Sequence, residues 1–325
     1  MPPSFCRHNR FLQNCPICRP PQPTPGAKRP ARTPSARARS ASGGATRAAR
    51  SSAIRTRQLT QAADDGYRSE LVPGLKATAD AERLVAELAF ASARLEEFSD
   101  DPPGLYADIV TIDAPEEALW LAFLVALICP VEVEDPAAED PFAAIRAAHV
   151  PWASGELPRL DVARGPRTQV ADAASGATTV LAYRAWAARA GGQQAAFRGE
   201  QTWTPERRFD RVFERLSLPG LGRGGRYELL VSLGRLDVLD AQPTTLRFGD
   251  DATTLAAKRV FGIGDTVLLE RRARALADAT RLPLEALDLA LHNWGARARG
   301  ERATYGSQAV VDERDRDAIA AVLGA

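Results

Sequence analysis

The residues best suited to chemistry lie in one glycine-rich stretch, Leu216-Ser-Leu-Pro-Gly-Leu-Gly-Arg-Gly-Gly-Arg-Tyr-Glu228. Its proline cannot continue a helix, and Gly220 and Gly222 permit positive φ angles and a close approach of the backbone. If a helix starts after Gly222, its first amides have no internal partner and can hold an anion. Arg223 and Arg226 flank these amides and can clamp the same anion. The stretch therefore predicts a phosphate site.

Helical patterns on both sides place this stretch between two helices. Apolar residues recur at helical spacing before it and after it: Phe209, Val212, Phe213, Leu216, Tyr227, Leu229, Leu230, Val231 and Leu233. Leu218-Pro-Gly-Leu-Gly222 is then the turn that joins the two helices.

The turn resembles the helix-hairpin-helix of DNA glycosylases, which grips a DNA phosphate. The resemblance implies that DNA contacts the turn and its flanking arginines: Leu218, Gly220, Gly222, Arg223 and Arg226. The alternative is an ordinary turn between two helices with a glycine cap.

A second turn of this kind ends at Asp265, where a helix N-cap is expected. Gly264-Asp-Thr-Val267 resembles the Asp-Thr-His-Val segment of the glycosylases, and this implies that Asp265 is the catalytic carboxylate. Two differences separate the segments. The histidine is missing, and about forty residues lie between Gly222 and Asp265, more than is usual in glycosylases. The alternative is that Asp265 only caps its helix.

Three cysteines and a histidine near the N-terminus have the spacing of a zinc site. Cys15-Pro-Ile-Cys18 places two thiolates one tight turn apart, and Cys6 and His8 supply the other two ligands. Four protein ligands leave no open position, so we predict a structural zinc knuckle over residues 1–20. The alternatives are free cysteines in a disordered tail or a redox pair.

Residues 21–58 are predicted to form a disordered basic linker. They contain no acidic or aromatic residue and cannot bury enough surface to fold. Residues 1–58 hold twelve Lys or Arg, whereas the rest of the chain has a net charge of −11. A basic arm on an acidic body suits a polyanion such as DNA. The alternative is a solvated linker that reflects coding bias, because the chain has 39 Arg and three Lys.

Residues 59–325 are predicted to form one all-α domain, since no alternating strands are evident. Helical patterns cover Asp80 to Phe98 and Thr178 to Ala190, while residues 151–175 have a loop-like composition. The longest apolar run, Ala118 to Val131, is too short to cross a membrane and is predicted to be a buried helix. With no signal peptide evident, the cytoplasm is the expected location.

Residues from about 200 to 295 resemble the helical domain shared by 5-hydroxymethyl-deoxyuridine DNA kinases and the α-glutamyl/putrescinyl thymine pyrophosphorylases, clade 3 in particular. Four segments carry the resemblance: Trp203-Thr-Pro-Glu-Arg-Arg-Phe209, Leu218-Pro-Gly-Leu-Gly222, Ala257-Lys-Arg-Val-Phe-Gly-Ile-Gly-Asp265 and Leu287-Asp-Leu-Ala-Leu-His-Asn-Trp294. It implies a helix-hairpin-helix DNA-glycosylase-like domain that replaces a pyrophosphate on a hydroxymethylated thymine in DNA with an amine-bearing adduct.

The predicted function is therefore a DNA-binding enzyme that acts on a modified thymine or uracil, by adduct transfer or base excision. The chain has no kinase-type phosphate-binding loop, so kinase activity is not supported. Residues 223–226 contain no lysine, which bifunctional glycosylases carry there, so lyase activity is not expected. The alternative is a non-catalytic DNA-binding module that recruits partners through the zinc knuckle and the basic arm.

Overall fold

A computed structural model describes residues 62–135, 138–296 and 302–325, in which the regular secondary structure is helical. These ranges contain twelve α-helices, one 3-10 turn at Trp152–Ser154 and no strand. The helices are α1 (Thr78–Asp100), α2 (Leu105–Thr111), α3 (Pro115–Ile128), α4 (Ala143–Ala148), α5 (Ala173–Ala190), α6 (Gln193–Arg198), α7 (Pro205–Arg215), α8 (Arg223–Arg235), α9 (Ala252–Phe261), α10 (Thr266–Thr280), α11 (Ala286–Gly295) and α12 (Glu313–Leu323). The all-α prediction is confirmed for these ranges. The predicted zinc knuckle and linker lie outside them.

Helix α3 is the apolar run predicted to be buried. Pro115 opens it, and Glu116 and Glu117 in its first turn suit the positive end of the helix dipole. Every residue from Ala118 to Ile128 is buried, so the helix must be covered on all sides. It packs against α2, α6 and α8. None of the helices in the described ranges has the length and hydropathy that crossing a bilayer requires.

Helices α1 and α11 form the other main contact of the domain. α1 packs against α11 and α12, and α11 packs in turn against α9. The fully buried Trp294 anchors this contact, because its indole Nε1 donates to the Asp80 carbonyl at 2.9 Å. These contacts hold α9, and hence the loop before it, against the rest of the domain.

Helix α5 begins earlier than predicted. Asp172 and Ser175 form a reciprocal capping box, and the helix starts at Ala173 instead of Thr178. The prediction of a loop to residue 175 is wrong at this boundary because Gly176 suggested irregular structure. Gly176 is helical, and a Cβ there would lie 2.7 Å from Leu160 Cδ1. It is glycine because of close packing, which only the tertiary fold determines.

Candidate functional site

The glycine-rich stretch joins α7 and α8, as predicted. Thr204 caps α7 by accepting a hydrogen bond from the Arg207 amide at 3.3 Å. Helix α8 begins at Arg223, with Gly222 as its N-cap. The segment Leu218–Gly222 therefore forms the end of the turn between two helices.

Two glycines in the turn allow contacts that a side chain would prevent. Gly220 has a φ of 75°, and a Cβ there would lie 2.2 Å from Thr179 Oγ1 on α5. A Cβ on Gly222 would lie 1.8 Å from Oε1 of Gln169. The turn is thus seated against α5 and Gln169, which fix its position.

The first turn of α8 offers free backbone amides. In the described part of the chain no side chain caps this helix start, so the amides of residues 223–225 have no capping side chain and no acceptor in a preceding helical turn, whereas the Arg226 amide donates to the Gly222 carbonyl at 3.1 Å. A helix start of this kind favours a bound anion, because the helix dipole and the amides both attract negative charge.

A cleft of about 930 Å³ lies beside the turn. Its walls are the turn, the loop 245–251 before α9 and the first residues of α10. The structure brings together here all five residues predicted to contact DNA: Leu218, Gly220, Gly222, Arg223 and Arg226. The volume is in the range of sites that enclose a small ligand.

The side chain of Arg223 forms hydrogen bonds and ion pairs within the protein. Its Nε donates to Asp251 Oδ2 at 2.6 Å, its Nη1 to the Leu246 carbonyl at 2.7 Å, and its Nη2 to Asp288 Oδ1 at 2.5 Å. The side chain is almost completely buried. The guanidinium of Arg223 therefore has a structural role within the protein, and its backbone amide lies at the helix start.

Arg223 belongs to a chain of buried charges that crosses the domain. Asp288 Oδ2 accepts from Arg167 Nη2 at 2.7 Å, and Arg167 Nη1 lies 3.9 Å from Glu228 Oε2. Glu228 also pairs with Arg94 on α1. Burial raises the pKa of Asp288, but the charges of Arg223 and Arg167 outweigh it, and the net pKa is below the usual 3.8. The ionised carboxylate ties the start of α8 to α11.

Arg226 has a different environment. Its Nη1 donates to the Phe213 carbonyl at 3.0 Å, and no carboxylate in the described part of the chain forms an ion pair with it. Burial lowers the pKa of Arg226, and the positive charges of Arg223 and Arg247 lower it further. An anion bound in the cleft would offset this repulsion.

Asp265 caps α10, the helix whose first residues line the cleft. Its Oδ1 accepts from the Leu268 amide at 3.0 Å, and the side chain is exposed. Thr266 and Val267 line the cleft, but Asp265 is not among its lining residues. The structure thus places the predicted catalytic carboxylate at the rim, in the capping position that was the alternative interpretation.

Three carboxylates line the cleft, Asp250, Asp251 and Glu270, and no sequence pattern predicted them to be there. Asp251 caps α9, accepts from the Thr254 amide at 3.0 Å and pairs with Arg223. Asp250 is exposed, and none of the described residues forms a hydrogen bond or an ion pair with it. Gly249-Asp-Asp251 before a helix would have predicted a cap, but nothing local to it indicates the cleft.

A search of curated proteins found no match to this chain, and a search of solved structures found none. A scan against protein-family models found a match over residues 165–298, which include the α7–α8 turn, the cleft and helices α9 to α11. The matching description is that of a thymine-modifying, pyrophosphorylase-like enzyme. Residues 165–298 match the family of the alpha-glutamyl/putrescinyl thymine pyrophosphorylases, clade 3, which confirms the resemblance read from the sequence.

Proposed function

We propose that this protein is a DNA-binding enzyme that acts on a modified, hydroxymethyl-type thymine in DNA. The observation that carries the proposal is a single cleft, within the segment that matches the family, that is lined by the hairpin turn, Arg226 and Asp250. The turn supplies backbone amides, Arg226 supplies a cation, and Asp250 supplies a carboxylate that can accept a proton.

The hairpin turn holds the DNA backbone in this proposal. Gly220 and Gly222 let a phosphate oxygen approach the amides at the start of α8. Leu218 packs against the core and keeps the turn in place. Arg223 contributes its amide, and Arg226 contributes its charge. Because the domain is acidic overall, these local donors attract the phosphate in place of net charge.

The reaction that fits the cleft is transfer of an amine-bearing group to a base that has left the stack. The amine nitrogen attacks the exocyclic methylene carbon, and the bond from that carbon to the diphosphate oxygen breaks. Diphosphate leaves with the electron pair, and Asp250 accepts the proton that the nitrogen loses. Base excision is the alternative reaction in the same cleft. Product mass separates the two, since transfer adds an adduct to the DNA and excision removes a base.

Replacing Gly220 with alanine should weaken binding to duplex DNA about tenfold, or ~1.4 kcal/mol. The added Cβ meets Thr179, and the positive φ strains any residue with a side chain, so the turn must shift. Fluorescence anisotropy with a labelled duplex, repeated over a salt series, measures the effect.

The matched control is Gly155→Ala. Gly155 has a φ of 72°, but no heavy atom lies within 4 Å of the added Cβ, and the residue is outside the cleft. This variant should bind DNA like the wild type. Equal affinities of the two variants would show that the turn is not the contact, and a wild-type protein without salt-dependent binding would refute DNA binding altogether.

We further propose that Cys6, His8, Cys15 and Cys18, which lie outside the described residues, bind a structural zinc ion. Cys15→Ser should lose the metal, as measured by elemental mass spectrometry of the full-length protein. The helical domain should keep its melting temperature, because the residues of its hydrophobic core lie between Tyr67 and Leu323, outside the cysteine-containing segment. Undiminished zinc in the variant would contradict the ligand assignment.

A further inference from the structure

Two arginines stack near one aromatic ring at the cleft. The guanidinium carbon of Arg226 lies 4.4 Å from the centroid of Phe213, and that of Arg247 lies 5.2 Å from it. All three side chains line the cleft. Stacking orients a planar guanidinium without using its N–H donors, so the stacking itself does not prevent them from binding an anion.

Arg247 is held in an unusual backbone conformation. Its φ is 54°, in the left-handed region that residues with a side chain rarely adopt. The Glu270 carboxylate accepts from the Leu246 amide at 2.8 Å and from the Phe248 amide at 2.9 Å. One carboxylate therefore accepts hydrogen bonds from the backbone amides on both sides of Arg247. Strain maintained in this way at a cleft indicates that the placement of the side chain has a function.

The present partners of the two guanidinium groups leave room for a ligand. Arg247 pairs with Glu214 at 3.0 Å and with Asp210 at 3.5 Å, and both acids are partly exposed to solvent. Such pairs contribute little, so a phosphate can replace them. The Nη1 atom of Arg226 donates to the Phe213 carbonyl, and no carboxylate in the described part of the chain forms an ion pair with this side chain.

We propose that Arg226 and Arg247 form a subsite for a diphosphate group beside the hairpin turn. This inference rests on the proposed function, in which diphosphate leaves the base. Two separately anchored guanidinium groups match a ligand with two phosphates, because each phosphate accepts charge-assisted hydrogen bonds. The amides of the turn already serve a backbone phosphate, and the cleft of about 930 Å³ has room for both groups.

Calorimetric titration with inorganic pyrophosphate tests the subsite. The wild-type protein should bind pyrophosphate at least about tenfold more tightly than orthophosphate, and Arg226→Ala and Arg247→Ala should each lose about tenfold or more. Arg211→Ala is the matched control, because Arg211 lies on the same helix as Phe213, is exposed and does not line the cleft. It should keep the wild-type affinity. Equal affinity for the two anions, or unchanged affinity in Arg226→Ala, would overturn the subsite.

A second pair of variants tests the strain at Arg247. Arg247→Gly and Arg247→Ala both remove the guanidinium, so both should lose pyrophosphate binding. Glycine accommodates the φ of 54° and alanine does not, so the glycine variant should melt at the higher temperature. The opposite order of melting temperatures would contradict the positioning of Arg247 by Glu270.

The same preparations are titrated with duplex DNA over a salt series. If the wild-type protein binds DNA but does not prefer pyrophosphate to orthophosphate, the subsite alone is overturned. Selectivity for pyrophosphate without any DNA binding supports the subsite and overturns the DNA contact of the proposed function.

Discussion

Replacing Asp288 with asparagine should lower the free energy of unfolding by about 3–5 kcal/mol. Asp288 is 2% exposed, and its two carboxylate oxygens accept hydrogen bonds from Arg167 and Arg223. Asparagine carries no charge and turns an NH₂ group toward one of these cations, so two buried guanidinium groups lose their shared carboxylate and, among the described residues, retain only the carboxylates of Asp251 and Glu228. The loss is large against a total stability of roughly 5–15 kcal/mol. Urea unfolding followed by circular dichroism measures it.

The matched control for this variant is Asp108→Asn. Asp108 pairs with Arg146 at 2.7 Å, but both side chains are nearly half exposed, so the expected loss is about 0–1 kcal/mol. Equal losses of unfolding free energy in the two variants would show that the buried ion pairs do not stabilise the domain more than exposed ones do.

The pH dependence of Asp288→Asn has a definite sign. The folded state lowers the pKa of Asp288 below 3.8, so the stability that the carboxylate provides is fully present above that pH. It is lost as the pH falls through the lower folded pKa. The difference in the free energy of unfolding between wild type and variant should therefore be constant near neutral pH and should become smaller only below about pH 3.8.

Asp250→Asn should lower the rate of adduct transfer by about 10²–10⁴-fold, the usual contribution of a general base. Asparagine has nearly the same shape but cannot accept the proton. Because no described residue forms a hydrogen bond or ion pair with the Asp250 side chain, the fold and DNA affinity should be unchanged. The assay is mass spectrometry of DNA that carries the diphosphorylated hydroxymethyl base, incubated with putrescine or glutamate, groups named in the family description.

Asp265→Asn is the control for that experiment. Asparagine caps a helix about as well as aspartate, so α10 should keep its start and the rate should stay within about threefold of wild type. If Asp265→Asn lost most of the transfer rate while Asp250→Asn remained active, the catalytic carboxylate would be Asp265, as predicted from the sequence. Full activity in both variants would exclude either carboxylate as the base and favour a non-catalytic DNA-binding role.

The buried ion pairs also explain how the candidate site is held. Arg223 is the first residue of α8, and its side chain reaches Asp251 at the start of α9 and Asp288 on α11. One side chain thus connects the start of α8 to two other helices. The stability of the domain and the geometry of the cleft therefore depend on the same charges.

Most of the helices and the turn between α7 and α8 could be predicted from the sequence, whereas the start of α5 could not. Helical spacing of apolar residues and the order Leu218-Pro-Gly-Leu-Gly222 are local signals, and local signals decide where helices start and stop. The same local signals predict that glycines occupy the turn, but they do not predict which residues the glycines contact. That Gly220 meets Thr179 depends on how α5 packs.

Local sequence patterns do not predict which side chains face the cleft, because this depends on tertiary packing. Arg223 and Arg226 are one helical turn apart, yet Arg223 meets buried carboxylates from distant segments while Arg226 remains beside the cleft. Arg247 and Asp250 lie in an irregular loop, where no periodicity indicates the direction of a side chain. Hydrogen bonds from the amides beside Arg247 to α10 and its ion pair with α7 position Arg247. Side-chain direction in such segments depends on partners that are far away in the chain, so spacing alone cannot predict it.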